Sequence, residues 1–252
     1  MGKKTDKAIF KVDKAEAAER VRRILPILRK QYPDAKIALN YTNPLQLLIA
    51  TILSAQCTDA RVNMVTPMLF KKYRSAKDWA DADISQIESD IKSKGFYRNK
   101  AANIKAACAA IVKQYGGRVP ETMEQLVELP GVGRKTANVV LGGAFGKPAI
   151  TCDTHVIRLS GRLGLSENSD PVKLEFDLAE IVPKKHWTLF SNLLIFHGRN
   201  VCKARKPDCQ NCPISKYCPS AGIAGGRQRK NEKAHSKTHA RNAQESSDEK
   251  DN

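Results

Sequence analysis

Lys135 and Asp153 are side chains that can do nucleophilic or proton-transfer chemistry, and a glycine turn beside the lysine could bind an anion. Gly131 and Gly133 stand between two helical patterns, the second of which starts near Arg134. Glycines there can supply positive φ values, so that successive N–H groups point at a phosphate in front of the positive amino end of the second helix. The pattern predicts a phosphate cradle with a lysine directly behind it. A plain connector between two helices is the alternative interpretation.

Asp153 follows Lys135 by eighteen residues and stands directly before a segment with helical spacing. A carboxylate at a helix start accepts backbone N–H bonds and stays ionised, so it can stabilise a developing positive charge and help to move protons. An aspartate that only caps its helix is the alternative. The lysine amine must be neutral to attack. Two things would favour the neutral form: a pocket that removes the amine from water, and nearby cations such as Arg134.

Four cysteines near the carboxyl end have the spacing of a metal-binding loop. Cys202, Cys209, Cys212 and Cys218 form the pattern Cys-x6-Cys-x2-Cys-x5-Cys within seventeen residues. Structural zinc more often uses two well-separated Cys-x2-Cys pairs, and only one such pair is present. The spacing therefore favours an iron–sulfur cluster, with zinc as the alternative.

The 252 residues carry a formal net charge of +17, which limits the class of binding partner that the protein can have. Residues 220–252 hold seven Lys or Arg and five Asp or Glu, so the rest of the chain carries nearly all of this charge. Such a basic surface predicts a polyanion as the partner, and nucleic acid is the usual one. Seven cysteines, an odd number, favour metal ligation in a reducing compartment over disulfides. No apolar run approaches the ~20 residues of a membrane span, and the amino terminus has no secretory pattern.

Apolar residues recur at helical spacing along the chain, and no segment shows sustained strand alternation, which predicts an all-α fold. The helices are predicted at 13–32, from Asn43-Pro44 onward, and at 100–115, 121–129, 171–181 and 186–199. We expect a flexible segment at 1–12 and a disordered tail at 220–252, where polar residues and glycines predominate.

The segment Leu129-Pro130-Gly131-Val132-Gly133-Arg134-Lys135, the distant Asp153 and the four-cysteine spacing together resemble the endonuclease III family of helix-hairpin-helix DNA glycosylases. The similarity covers roughly residues 21–219. It implies two helical domains with the substrate cleft between them: a six-helix barrel with the hairpin at 37–147, and a cluster domain built from 13–36 and 148–219. It also implies a [4Fe–4S] cluster on the four cysteines.

The resemblance assigns the chemistry to two residues. In this family, the lysine that matches Lys135 attacks the sugar C1′ of a damaged nucleotide and expels the base. It then forms a Schiff base that undergoes β-elimination. Asp153 would stabilise the positive charge that develops on the sugar.

The resemblance also implies which residues contact DNA. The hairpin residues Gly131, Val132, Gly133 and Arg134 would hold the strand. Gln56 matches the glutamine that enters the void left by a flipped nucleotide. Phe96 occupies the place of an apolar wedge that is often leucine in the family. A surface amide and a core aromatic are the alternatives for these last two.

Three cations between the first two cysteines form a further candidate contact: Lys203, Arg205 and Lys206. A cluster that folds this loop would present them to a DNA phosphate. A simple solvated loop is the alternative interpretation.

The sequence therefore predicts a bifunctional DNA glycosylase and abasic-site lyase of base excision repair that removes oxidised pyrimidines such as thymine glycol. A pyrimidine-dimer glycosylase of the same fold is an alternative. An adenine glycosylase of this fold is disfavoured, because that class lacks the lysine, has a glutamate acid near residues 54–56 and adds a large carboxyl-terminal domain. From a different class, the alternative is a non-catalytic DNA-binding iron–sulfur protein. We expect damaged double-stranded DNA as the partner, a monomer, no membrane association and, for a prokaryotic source, a cytoplasmic protein at the nucleoid.

Overall fold

The computed structural model describes residues 11–92 and 97–223 of the chain. These residues contain α-helices and no β-strand, as the periodicity predicted, and none of the helices is long and apolar enough to cross a membrane. The α-helices are α1 (Lys14–Gln31), α2 (Pro44–Ser54), α3 (Asp59–Lys72), α4 (Ala76–Asp81), α5 (Ile84–Ile91), α6 (Tyr97–Tyr115), α7 (Met123–Val127), α8 (Arg134–Ala144), α9 (Thr154–Arg162), α10 (Pro171–Ile181) and α11 (Trp187–Asn200). Short 3-10 turns lie at Lys184–His186 and Ser215–Tyr217.

Capping residues set where the helices begin. The side chain of Asp13 accepts a hydrogen bond from the backbone N–H of Glu16 at 2.9 Å and starts α1. Asn43 does the same for Gln46 at 3.0 Å, and Pro44 occupies the first position of α2. A polar cap followed by a residue with a fixed φ explains why these starts could be predicted from sequence.

Two predicted helices have different bounds in the structure. The helix predicted for 121–129 is only Met123–Val127, because the chain leaves the helix through two tight turns. In these turns Leu129 N–H bonds Leu126 C=O at 3.2 Å, and Val132 N–H bonds Leu129 C=O at 3.0 Å. The helix predicted for 100–115 is α6, which begins at Tyr97, three residues before the predicted start.

The first hydrophobic core is built by residues between Leu39 and Ala149, with α2 at its centre. α2 is buried nearly all round and packs against α3, α6 and α8. The large and fully buried side chains of this core are Leu47, Leu48, Ile49, Leu53, Trp79, Ile87, Ile91, Ile104 and Ile111. Because α8 contributes Ala137 and Val140 to this core, the helix that carries Lys135 is anchored here.

A second core joins the amino-terminal helix to the last third of the chain. α1 packs against α10 and α11, and α9 packs against α11. Its fully buried members include Val21, Ile24, Leu28, Val156, Leu159, Leu174, Leu178, Phe190, Leu193 and Leu194. α9, which follows Asp153, therefore belongs to a different core from α8.

Residues inside both predicted terminal segments contact the rest of the chain. The backbone N–H of Val12 donates to Glu167 Oε1 at 2.7 Å, and Val12 packs against the second core, whereas the flexible segment at 1–12 stays a prediction. Ser220 is fully buried, and its carbonyl accepts a hydrogen bond from Ile223 N–H at 3.1 Å, whereas the disordered tail at 220–252 stays a prediction. Of the remaining residues of these two segments, only Lys11, Ala221 and Gly222 belong to the described part of the chain.

The second core gives a stability prediction at Phe190, which is fully buried. Replacing Phe190 with Ala should lower the free energy of unfolding by about 3–5 kcal/mol, because it removes a large apolar side chain and leaves a cavity. Denaturant unfolding of the cluster-loaded protein measures this. Phe176→Ala is the matched control, since Phe176 is 54% exposed, and it should cost less than about 1 kcal/mol. Equal losses for the two variants would contradict the packing described above.

Candidate active site and cluster loop

The glycine turn depends on its first glycine. Gly131 has φ +75°, a conformation that L side chains rarely adopt, and a Cβ built on it would lie 2.6 Å from the Cβ of Asn103 on α6. Gly133 differs from the sequence prediction: its φ is −89°, and nothing lies within 4 Å of a Cβ built there. The prediction of two positive φ values is therefore wrong for Gly133, because Gly133 is the extended residue that precedes α8.

The amino end of α8 has the features of an anion site, although the turn contributes fewer donors than predicted. Gly133 is the N-cap of α8 and supplies no side-chain hydrogen bond, so the first N–H groups of the helix have no capping side chain. Val132, however, is buried, and its N–H is used inside the turn. The Val132 N–H is thus engaged within the turn, whereas Gly131 and Gly133 are exposed, and the DNA contacts at these residues stay predictions.

Lys135 and Asp153 line the same cavity of about 130 Å³. Lys135 comes from the first turn of α8 in the first core, and Asp153 precedes α9 in the second core. Lys36, Asp59 and Arg199 line the cavity as well, and Arg199 Nη2 lies 2.8 Å from Asp59 Oδ2. The cavity thus brings the two predicted catalytic residues together with an ion pair that connects α3 to α11.

One oxygen of Asp153 is sufficient to cap α9. Its Oδ1 accepts hydrogen bonds from the backbone N–H groups of His155 and Val156, both at 2.8 Å. The cap does not need Oδ2, so the carboxylate can hold its helix and still face a charge in the cavity. Burial lowers the pKa of His155 and so favours the neutral imidazole, which places no positive charge beside the Asp153 carboxylate. The capping role and the catalytic role of Asp153 are therefore compatible.

The protein alone does not supply the activation that the sequence analysis expected for Lys135. Lys135 is exposed, so the cavity does not remove it from water. The charge of Arg134 is balanced by Glu175, whose oxygens accept bonds from Nε at 2.9 Å and from Nη2 at 2.8 Å. The hydrogen bond to Glu175 raises the pKa of Arg134, so the guanidinium keeps its positive charge, and the Glu175 carboxylate pairs with it. The free protein therefore does not exclude water from Lys135.

Gln56 lies in a strained turn between α2 and α3. It is exposed, and its φ is +58°, the only positive φ of a non-glycine residue among residues 11–92 and 97–223. Such a conformation costs roughly 1–3 kcal/mol and persists only where its surroundings impose it. Lys100 on α6 is buried, and its Nζ donates to the Leu53 carbonyl at 2.9 Å, directly before this turn. Phe96, the predicted wedge, lies outside the described residues.

The four cysteines of the predicted cluster line one cavity together. Cys202, Cys209, Cys212 and Cys218 all face it, although no set of three or more His, Cys, Asp or Glu side chains in the described part of the chain is placed around a single metal ion. Burial raises the pKa of Cys218 to about 11 and also raises that of Cys212, so bound metal would have to displace these protons. A shared cavity with separated thiols suits a polynuclear cluster better than one zinc ion.

Buried polar side chains shape the cluster loop. Arg162 Nη1 donates to the Lys203 carbonyl and Nη2 donates to the Ala204 carbonyl, each at 2.9 Å, and Nη1 also lies 3.5 Å from Cys202 Sγ. Arg162 thus holds the loop backbone at residues 203 and 204, and the side chains of Lys203, Arg205 and Lys206 are exposed. The three predicted phosphate contacts therefore lie on a fixed loop.

A buried histidine contacts another cysteine of the loop. His197 Nε2 lies 3.4 Å from Cys212 Sγ, and its Nδ1 lies 3.0 Å from the hydroxyl of Tyr32 on α1. Burial lowers the pKa of His197 to about 4, so the ring is neutral at neutral pH. If Tyr32 donates to Nδ1, the ring proton is on Nε2 and points at the sulfur. This chain of contacts ties α1 to the cysteine loop.

Sequence reasoning missed four residues that support the site: Lys100, Arg162, Glu175 and His197. Each looks in the sequence like an ordinary charged or polar helix residue. Only His197 stands near a recognised motif, five residues before Cys202. Lys100, Arg162 and Glu175 form hydrogen bonds with partners that lie 37 to 47 residues away in the sequence, and no local sequence pattern reveals such contacts.

Comparison with known proteins agrees with this geometry. Residues 49–184 match the model of the HhH-GPD superfamily of base excision DNA repair proteins, and residues 202–218 match the iron–sulfur binding domain of endonuclease III. The second match spans the four cysteines. The fold and the site thus define a helix-hairpin-helix protein of base excision DNA repair.

Individual relatives narrow this class. The chain is 54% identical over 208 residues to endonuclease III of Synechocystis sp., and this alignment covers 82% of this chain and 95% of that protein. A solved non-covalent endonuclease III–DNA complex is 46% identical, has a TM-score of 0.77, and covers 81% of this chain and 96% of its own. A trapped endonuclease III–DNA covalent intermediate has the same identity and TM-score, and covers 81% of this chain and 97% of its own.

The chain belongs to the endonuclease III family. It is a base excision repair DNA glycosylase and lyase whose cofactor is a [4Fe–4S] cluster. The sequence-based predictions of family, fold class, enzyme class and cofactor are thereby confirmed.

The glycine turn gives a second stability prediction. Replacing Gly131 with Ala should cost about 2 kcal/mol or more, because the residue has a positive φ and the new Cβ would meet Asn103. Gly133→Ala is the matched control two residues away and should cost less than about 1 kcal/mol, since space and φ both permit a methyl group. Thermal unfolding of the two variants measures the difference. Equal effects would show that the turn does not have the described geometry.

Proposed function

We propose that Lys135 is the nucleophile and Asp153 the electrostatic partner of a bifunctional glycosylase and abasic-site lyase that removes oxidised pyrimidines such as thymine glycol. The observation that carries this proposal is the shared cavity, which both side chains line beside the amino end of α8. A trapped covalent intermediate among the solved relatives supports a covalent route. The 46% identity to that chain makes transfer of the reaction class reasonable.

The reaction assigns a definite step to each group. The neutral Nζ of Lys135 attacks C1′ of the damaged nucleotide. The bond between Nζ and C1′ forms, and the base leaves with the electrons of the glycosidic bond that joined it to C1′. Asp153 stabilises the positive charge that develops on the sugar, and a proton transfer opens the ring to a Schiff base. Loss of a C2′ proton then expels the 3′ phosphate by β-elimination. Hydrolysis of the Schiff base regenerates the amine.

DNA contacts follow from the exposed parts of the site. The amino end of α8 and the Gly131 and Gly133 backbone would receive a phosphate, and the remaining N–H groups of Arg134 could reach the strand. Gln56 would enter the void left by the flipped nucleotide, and Phe96 would wedge the duplex beside it. A bound duplex would also cover Lys135 and exclude water, which the free protein does not do.

The four cysteines would hold the cluster, and its role in this proposal is structural. Bound to Cys202, Cys209, Cys212 and Cys218, it would fix the loop so that its cations face a phosphate. We further propose a monomer in the cytoplasm, with the first core corresponding to a domain at 37–147 and the second core to a domain made of 13–36 and 148–219. The separate cores support this division.

Borohydride trapping tests the nucleophile. With duplexes that contain an abasic site or thymine glycol, the unmodified protein should form a covalent adduct. Lys135→Ala should reduce the adduct at least about 10³-fold, because the attacking atom is absent. The adduct is measured by gel shift and mass spectrometry.

Lys36→Ala is the matched control, since Lys36 lines the same cavity. It should leave an adduct of normal yield. An adduct that survives Lys135→Ala and is lost in Lys36→Ala would move the nucleophile to Lys36. If no duplex of a wider panel, with pyrimidine dimers and mispaired adenine included, gives base release or an adduct, the protein is a binder and not the proposed enzyme.

Asp153→Asn tests the carboxylate separately from its cap. Asparagine keeps an oxygen for the cap bonds, so the fold should persist, while the single-turnover rate should fall about 10²–10⁴-fold with the loss of the charge. Asp170→Asn is the control, because Asp170 caps α10 with one oxygen in the same way. A normal rate in Asp153→Asn would leave Asp153 with only its capping role.

A further inference from the structure

We propose that Glu175 is a positioning residue for Lys135. This inference rests on the proposed function, because it explains how the amine is held where that reaction needs it. Glu175 lies on α10 in the second core, whereas Lys135 lies on α8 in the first core. No motif of the sequence marks it.

Glu175 holds α8 at two points, one on each side of Lys135 along the chain. Its carboxylate accepts Arg134 Nε at 2.9 Å and Arg134 Nη2 at 2.8 Å, and it also accepts Asn138 Nδ2 at 2.8 Å. Arg134 and Asn138 are one helical turn apart and therefore share a face of α8. Lys135 stands between them in sequence and projects from a different direction.

The geometry of this contact is well suited to fix a helix. A planar guanidinium that binds a carboxylate through two N–H groups permits little rotation, and the third bond removes the remaining freedom. The side chain of Glu175 is only 13% exposed, so water competes weakly for its oxygens. The Arg134 guanidinium also lies over the ring of Phe176, with 5.1 Å between its Cζ and the ring centroid. Three neighbouring contacts, made by Arg134 and Asn138, thus join the first two turns of α8 to α10.

The contact also crosses between the two cores that supply the reacting groups. Lys135 moves with α8, and Asp153 caps α9, which packs in the same core as α10. If α8 shifted relative to α10, the distance between the amine and the carboxylate would change. A misplacement of about 1 Å can cost about 10²-fold in rate, so this bridge can matter for the reaction without touching the substrate.

The test separates positioning from general stability. Glu175→Gln has nearly the same shape, but its amide nitrogen cannot accept a guanidinium N–H, so the two-point contact is lost. Two quantities are measured: affinity for a duplex with a tetrahydrofuran abasic-site analogue, and the single-turnover rate of borohydride-trapped adduct on an abasic duplex. We expect the rate at saturating protein to fall about 10-fold or more. Affinity should stay within about 3-fold or become tighter, because Arg134 is released towards the phosphates.

Glu180→Gln is the matched control on the same helix. Glu180 pairs with Lys14 at the surface and lies 55% exposed, so both measured quantities should be unchanged. Glu175→Asp keeps the charge on a shorter side chain and should give an intermediate rate. This variant provides the test if Glu175→Gln does not fold by circular dichroism.

Two results would overturn the inference. One is a Glu175 variant that reacts at the normal rate. The other is a folded variant whose affinity and rate fall together, which would indicate general damage to the fold. Failure of the unmodified protein to form an adduct would instead refute the proposed function, so the two failures are distinguishable.

Discussion

The structure depends on the junction of two separately packed cores, which must meet so that Lys135 and Asp153 line one cavity. The amine comes from α8 in the first core and the carboxylate from the start of α9 in the second. Hydrophobic packing within each core cannot set the distance between them, because it is non-directional. Directional contacts across the junction can do so: the bidentate pair of Arg134 with Glu175, the bond from Asn138, and the pair of Arg199 with Asp59. Partly buried pairs of this kind contribute more to geometry than to net stability.

The cavity in the free protein is prepared for its reaction but not complete. Lys135 is exposed, and the neighbouring guanidinium is already balanced by a carboxylate. A lysine side chain in open water is a weak nucleophile until its surroundings activate it. Reactivity that appears only when a duplex covers the amine would therefore protect the protein from side reactions. The strained backbone at Gln56 agrees with this view, since strain of this kind is stored in parts that contact a substrate.

The sequence predicted most helices because caps and proline positions are local signals, as at Asp13, Asn43 and Asp153. It predicted the candidate catalytic pair because the glycine turn and the cysteine spacing are specific motifs. It failed where geometry depends on contacts between distant parts of the chain. Both glycines of the turn looked alike, but only Gly131 meets Asn103 and takes a positive φ. Arg134 looked like a cation available to the site, and its partner Glu175 lies 41 residues away. Lys100 looked like a surface lysine at a helix start, although its buried amine supports the Gln56 turn.

The second core joins α1 to helices at the far end of the chain, and this sets an order of assembly during translation. The first core is contiguous and can pack once the ribosome has released residue 149, whereas α1 must wait for α10 and α11. At 5–20 residues per second, the delay between α1 and α11 is on the order of ten seconds. During that interval the apolar stripe of Val21, Ile24 and Leu28 has no native partner on the nascent chain. The amino-terminal helix is thus the segment for which a chaperone would matter most, and the cysteine loop follows α11 out of the ribosome.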